Sequence, residues 1–291
     1  MASNVLPHPR VWFITGSSTG FGRALAEAVL THGDRLVATA RHPERLQDLV
    51  RSSPDRVQLL PLDVTNPPQS QDAAAQAVAH FGRIDVLVNN AGYGLLGAVE
   101  EATDAETRQE LETNFFGVLH VTRAVLPFLR RQRSGHILMM ASVDGFIGET
   151  GAGIYNASKF AIEGLSEALA QDVAPLGIHV TLIEPGYFRT DFTGRSLKEA
   201  ARQIEDYAQT SGVAREQVRH INGKQPGDPK RAAQAMIHVV ETAHPPLRLV
   251  LGADALSRVR HKLQQVKEEV DSWEATTVST AFAATSTRSS G

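Results

Sequence analysis

Residues Val11-Trp-Phe-Ile-Thr-Gly-Ser-Ser-Thr-Gly-Phe-Gly22 join an unbroken apolar run to three spaced glycines, and Arg23-Ala-Leu-Ala-Glu-Ala-Val-Leu-Thr-His32 follows at once. Val11 to Thr15 predicts a buried strand. From Gly22 onward, Leu25, Ala28 and Val29 fall on one helical face until Gly33 ends the helix. Gly16 permits a tight turn off the strand, Gly20 removes a side chain where backbone must approach an anion, and Gly22 opens a helix whose first amides face it. Ser17 and Ser18 add hydroxyl donors, with Phe21 in the same turn.

A second glycine cluster competes for the same role. Gly92-Tyr-Gly-Leu-Leu-Gly97 is a literal G-x-G-x-x-G, but it follows the fourth predicted strand, and residues 98–107 show no immediate apolar helical face. It lacks the strand-turn-helix setting, so phosphate contact is expected from 15–22 and only the wall of the cleft from 92–97.

The alternation continues outward from this unit. Strands are expected at Arg35–Ala40, Val57–Leu62, Ile84–Asn89, His136–Ala141, His179–Ile183 and Leu247–Leu251. Helices are expected after Pro43, at Asp72–Phe81, Ala105–Arg131, Tyr155–Val173 and Pro229–Thr242, and to about Trp273. Apolar strands separated by helices predict an α/β fold: a single Rossmann-type doubly wound domain, with a parallel sheet of about seven strands covered by helices on both faces. The domain is expected over 11–274, after an N-terminal extension at 1–10. Residues 187–224 break the rhythm and read as a substrate lid, and 275–291, rich in Ser, Thr and Ala, as a loosely held tail.

Composition narrows the function. The 291 residues carry a formal charge of -3, from 29 basic and 32 acidic side chains, which gives no bias towards nucleic acid or anionic membrane. The absence of cysteine excludes thiolate metal sites and a cysteine nucleophile, and the 11 histidines show no metal-binding spacing. No apolar stretch approaches the roughly 20 residues of a membrane span, and Met1–Arg10 has no signal-peptide pattern. A cytoplasmic location is the expectation.

Four motifs in order then carry a family likeness: Thr15–Gly22, Asn89-Asn-Ala-Gly92, Ser142, and Tyr155-x-x-x-Lys159, with Pro185-Gly186 beyond the sixth strand. Over about residues 10–255 the chain resembles the short-chain dehydrogenase/reductase family. The resemblance implies a nicotinamide dinucleotide held by the first turn, Asn90, Ala91 and Gly92, Asp63 and Val64 near the adenine, and Pro185 and Gly186. It implies that Lys159 holds the nicotinamide ribose beside Tyr155, that Asn114 keeps a water near the lysine, and that the helices at 105–131 and 155–173 pair in a homodimer or homotetramer.

Charge speaks to the choice of cofactor. A carboxylate ending the second strand would bind the ribose hydroxyls and repel a 2′-phosphate, but Ala40 stands there and Arg41 follows. A guanidinium binds phosphate through paired donors, so NADP(H) is favoured over NAD(H).

Tyr155 and Lys159, one helical turn apart, share a face. A neighbouring ammonium favours the phenolate, which makes Tyr155 a candidate general acid in reduction and general base in oxidation. Ser142 can hydrogen-bond the substrate oxygen. Leu95, Leu96, Phe146, Ile147, Tyr187, Phe188 and Phe192 are expected to surround a hydrophobic carbonyl or alcohol. The competing reading is a catalytically silent NADP(H)-binding sensor or protein-interaction module on the same fold.

Overall fold

The computed structural model describes residues 9–282. Seven parallel strands form the main sheet, in the order β3 (Val57–Pro61), β2 (Arg35–Ala40), β1 (Val11–Ile14), β4 (Val86–Asn89), β6 (Gly135–Met140), β7 (Ile178–Pro185), β9 (Arg248–Leu251). The chain steps outward from β1 to β3, then crosses back to lay β4 on the other side of β1. A crevice opens at that reversal, beyond the carboxyl ends of β1 and β4.

Strand periodicity explains the two packed layers. Trp12 and Ile14 of β1 face α1 (Gly20–His32) and α8 (Pro229–Glu241), while Val11 and Phe13 face α3 (Pro67–Phe81), α5 (Gly117–Gln132) and α6 (Gly153–Val173). All four side chains are fully buried. The short helix α2 (Gln47–Ser52) follows a 3-10 turn opened by Pro43. Asn66 caps α3 by accepting from the Gln69 amide at 3.1 Å, so this helix starts at Pro67, before the apolar periodicity becomes readable at Asp72. The buried Arg10 pairs with Asp34 and Glu241, which ties the last residue before β1 to the ends of α1 and α8.

Two local departures from the expected pattern matter for the site. The single helix expected at Ala105–Arg131 is divided into α4 (Asp104–Leu111), a π-helical turn at Glu112–Phe116, and α5. The extra residue in the wider turn faces Asn114 towards the Tyr93 backbone, a use common for such bulges. The second glycine cluster forms β5 (Gly94–Leu96), which pairs in parallel with β8 (Leu197–Glu199). A Cβ on Gly94 would lie 2.6 Å from the Leu197 side chain. Glycine there permits close packing of two strands rather than approach to phosphate.

Residues 187–224, which include β8 and α7 (Val213–Ile221), are held to the body by Glu101. This fully buried carboxylate accepts from Arg215 at 2.7 Å, Ser211 at 3.0 Å and the amides of Ile204 and Ala98 at 2.9 and 2.7 Å. The Arg215 guanidinium, helped by these donors, pulls its pKa from 4.5 to about 2. Because the folded value lies below the unfolded one, the stabilisation is complete above the ordinary carboxylate range and is lost as pH falls towards 2. Glu101→Gln is expected to cost about 3 kcal/mol by leaving Arg215 buried without its counter-charge. Denaturant unfolding at pH 7 and pH 3 checks this: the difference between the two proteins shrinks at the lower pH.

Beyond β9, α9 (Ala253–Ser272) seats its first turns on Val143, Phe146 and Ile147, and α10 (Glu274–Ser279) follows. No helix among the described residues is long and apolar enough to cross a membrane.

Candidate active site

The residues singled out in the sequence converge on the carboxyl edge of the sheet because each follows a strand. Gly16 leaves β1, Arg41 leaves β2, Asp63 and Val64 follow β3, Asn90 to Gly92 follow β4, Ser142 follows β6, and Pro185 and Gly186 end β7. They line one cleft of about 920 Å³, with Ser18, Gly20, Phe21, Tyr155 and Lys159.

The first turn is stapled to the end of β4. Thr15 Oγ1 accepts from the amides of Asn90 and Ala91 at 2.9 and 3.0 Å, and the Asn90 carboxamide donates to the carbonyls of Thr15 and Gly16 at 2.8 and 3.1 Å. A Cβ on Gly22 would sit 2.4 Å from the Gly16 carbonyl oxygen and 2.5 Å from Asn90 Nδ2. Only glycine lets α1 begin this close to the turn. Gly22 therefore spaces the cradle from behind, while Gly20, already the first residue of α1, lines it. Ser17 corrects an expectation. It is fully buried, and its hydroxyl donates inward to the Ile14 carbonyl at 2.9 Å, so Ser18 and Thr19 are the hydroxyls of this turn that reach the cleft.

On the opposite wall, α6 presents Tyr155 and Lys159, both mostly buried. Tyr155 packs against Phe192, with ring centroids 5.7 Å apart, and shares the cleft wall with Ser142, whose hydroxyl accepts from the Asp144 amide at 3.1 Å. Lys159 Nζ donates to the Met140 carbonyl at 2.7 Å and lies 5.8 Å from the centre of the Tyr155 ring. The Asn114 carboxamide donates to the Tyr93 carbonyl at 2.8 Å and to Ser158 Oγ at 3.1 Å, and its oxygen accepts from the Tyr93 amide at 3.0 Å. Asn114 thus clamps the strand end bearing Gly92 to α6.

Electrostatics departs from the sequence argument. Burial, reinforced by Asp144, pushes the Tyr155 phenol well above its usual value, against the lowering effect of Ser142. Burial also lowers Lys159 to about 8, with Glu110 and Asp144 opposing. The ammonium is directed at a carbonyl and is itself weakened, so desolvation dominates the phenol, which keeps its proton at neutral pH.

The electrostatic roles of one buried and one half-buried carboxyl escaped the sequence reading. Glu110 on α4 accepts from Asn114 Nδ2 at 3.3 Å and is raised to about 7 by burial, with Lys159 opposing. Asp144, raised by burial, pairs with Arg258 at 3.0 Å. The four-residue spacing of Glu110 and Asn114 on one helical path was the available signal for the first. Nothing local marked the second, because Arg258 is remote in sequence. Of the expected substrate-pocket residues, Leu95, Leu96, Tyr187, Phe188 and Phe192 line the cleft. Phe146 and Ile147 instead pack under α9 against Val143, Ala255 and Val259.

A family model described as short chain dehydrogenase matches residues 10–201, more than half of the chain. The chain belongs to the short-chain dehydrogenase family. It is similar to Oxidoreductase BOA17 of Botryotinia fuckeliana, with 41% identity covering 91% of this chain and 96% of that protein. It is also similar to a 3-ketodihydrosphingosine reductase of Bacteroides thetaiotaomicron, with 38% identity covering 84% and 88%. The crystal structure of a short-chain dehydrogenase from Streptomyces avermitilis superposes with a TM-score of 0.89 at 42% identity, covering 94% of this chain and 99% of that one. Two further family structures hold dinucleotides. One from Burkholderia phymatum is in complex with NAD (TM-score 0.79, 27% identity, covering 92% and 97%), and a serine dehydrogenase is complexed with NADP+ (TM-score 0.71, 27% identity, covering 83% and 94%).

The residues present fit such a dinucleotide. The stapled glycine turn opens onto a cleft that runs from Arg41 and Asp63 to Tyr155 and continues to Val218 and Ile221 of α7, leaving space beyond the tyrosine for a substrate. Among the described residues, no group of three His, Asp or Glu side chains is placed to hold a metal.

Proposed function

We propose that this protein is an NADP(H)-dependent oxidoreductase that interconverts a carbonyl and a secondary alcohol. The observation that carries this reading is the meeting of Ser142, Tyr155 and Lys159 on the wall facing the glycine turn, with Asn114 buried behind them and bonded to Ser158. When bound, the nicotinamide supplies or accepts the hydride. Gly20 and the α1 amides would hold the pyrophosphate, Asp63 and Val64 would border the adenine, and Lys159 would hold the nicotinamide ribose. Ser142 donates to the substrate oxygen, and Tyr155 delivers its phenolic proton to the same oxygen as negative charge develops. A phenol kept protonated by burial is ready for the reductive direction. Asn114, by fixing the backbone at Tyr93 and Ser158, keeps the lysine side of the cleft in register for proton resupply.

The apolar substrate end, built from Leu95, Leu96, Phe188, Phe192, Val218 and Ile221, suits a hydrophobic ketone. The name of the Bacteroides relative, a ketone reductase, is consistent with this direction. Residues 187–224 would serve as a lid over that end.

A panel of hydrophobic ketones and secondary alcohols, assayed with both cofactors between pH 6 and 10, tests the reading. NADPH oxidation driven by a ketone is expected. Lys159 is charged below about 8, so the reductive rate should be level at neutral pH and fall as pH rises through that value. Tight NADPH binding with no turnover across the panel would instead support the silent sensor.

A further inference from the structure

The outer half of α9 has no packing partner among the described residues, yet it carries a continuous apolar stripe. Leu263, Val266, Val270 and Trp273 are 54%, 40%, 61% and 63% exposed, and from Arg260 to Ser272 only Lys262 is partly covered. Their spacing alternates between four and three residues, in line with Val259, which is buried against Val143 and Ala255 on the protein's own body. The face that docks α9 to the domain therefore runs on, uncovered, for about 20 Å at 1.5 Å per residue. Such a seam is the pattern by which two helices pack along their length. Residues 283–291 (AATSTRSSG) contain no large apolar side chain.

Charge indicates what does. Both borders of the stripe run from basic to acidic along the helix: Arg260 and Lys267 precede Asp271 on one side, and Lys262 precedes Glu269 on the other. This order opposes the helix dipole, which favours acids at the start and bases at the end; Lys267 and Asp271 pair within the helix, whereas Lys262 and Glu269 have no ion pair among the described residues. Two copies laid antiparallel bring each border against itself in reverse, placing Lys262 level with Glu269 of the other copy, and Arg260 towards the Lys267–Asp271 pair. A parallel arrangement sets lysine against lysine and acid against acid. An anionic lipid surface is disfavoured, because the most exposed apolar residues lie among Glu268, Glu269, Asp271 and Glu274.

We infer that α9 is a self-association surface, through which two copies of this chain pair antiparallel along Leu263, Val266, Val270 and Trp273. This goes beyond the proposed reaction and does not depend on it.

Sedimentation velocity of the full-length protein over a concentration series tests the inference, with thermal unfolding showing that each variant is folded. Leu263→Glu, at a site remote from the cleft, should shift the assembly to species of half the mass and weaken association roughly tenfold or more. Lys262→Glu alone and Glu269→Lys alone should each weaken it roughly three- to tenfold, and combining them should restore it. Three outcomes overturn the inference: a wild-type monomer throughout, association unaffected by Leu263→Glu, or no restoration in the double reversal. Loss of binding to phosphatidylserine vesicles in Leu263→Glu, with a monomeric wild type, would assign the stripe to lipid instead.

Discussion

Tyr155→Phe is expected to reduce ketone turnover by about 10²- to 10⁴-fold, the usual range for removing a positioned proton donor, while leaving the affinity for NADPH nearly unchanged. The ring stays because its place is set by packing: it lies against Phe192 within a mostly buried position on α6, and phenylalanine fills the same volume. What is lost is the hydroxyl, the only group of this side chain able to pass a proton to a substrate oxygen. Steady-state kinetics with NADPH, with cofactor binding measured in parallel by fluorescence titration, separates the two effects. A fall in kcat without a fall in cofactor affinity places Tyr155 at the reacting oxygen. Full activity in the variant would remove it from the mechanism, and loss of both would mean that the phenol supports the cradle rather than the chemistry.

The parts of this site legible in the sequence are those written in local pattern. A strand read from Val11 to Thr15 ends where glycine recurs, and the seven strands place their carboxyl ends together whatever their side chains do, so Gly16, Arg41, Asp63, Asn90, Ser142 and Gly186 reach one edge by topology alone. Side-chain direction was not legible in the same way. Ser17 and Ser18 are adjacent and chemically identical, yet one is fixed inward by the Ile14 carbonyl and the other faces the cleft. Phe146 and Ile147 lie close to Ser142 in sequence but are claimed by α9, more than a hundred residues later.

Charge state was least legible, because it depends on how much water each group loses. The Tyr155–Lys159 spacing puts the two side chains on one helical face, but spacing says nothing of the Met140 carbonyl that takes the ammonium's hydrogen bond, nor of the burial that raises Tyr155, Glu110 and Asp144 together. Glu101 is the same case in reverse. Its sequence context, residues 98–107, shows only the lack of an apolar helical face, and the fold alone shows five donors converging on it from residues 98–215.

The same reasoning from charge makes cofactor choice the sharpest test at the far end of the cleft. Arg41→Ala is expected to weaken NADPH binding about 10- to 100-fold, the loss of hydrogen bonds to a charged group worth about 1.5–3 kcal/mol, with little change for NADH. The guanidinium is exposed, borders the cleft next to Ala40 and has no ion-pair partner among the described residues, so it is available to a 2′-phosphate. Adding Ala40→Asp would place a carboxylate at the end of β2, where it can accept from ribose hydroxyls and repel the phosphate. In the double variant the two effects act in opposite directions on the two cofactors, and the NADPH-to-NADH affinity ratio should fall by roughly 10³-fold. Isothermal titration with each dinucleotide measures that ratio directly. Equal losses for both would show that Arg41 shapes the β2 turn without meeting the phosphate, since a structural defect cannot distinguish two ligands that differ only at the 2′ position.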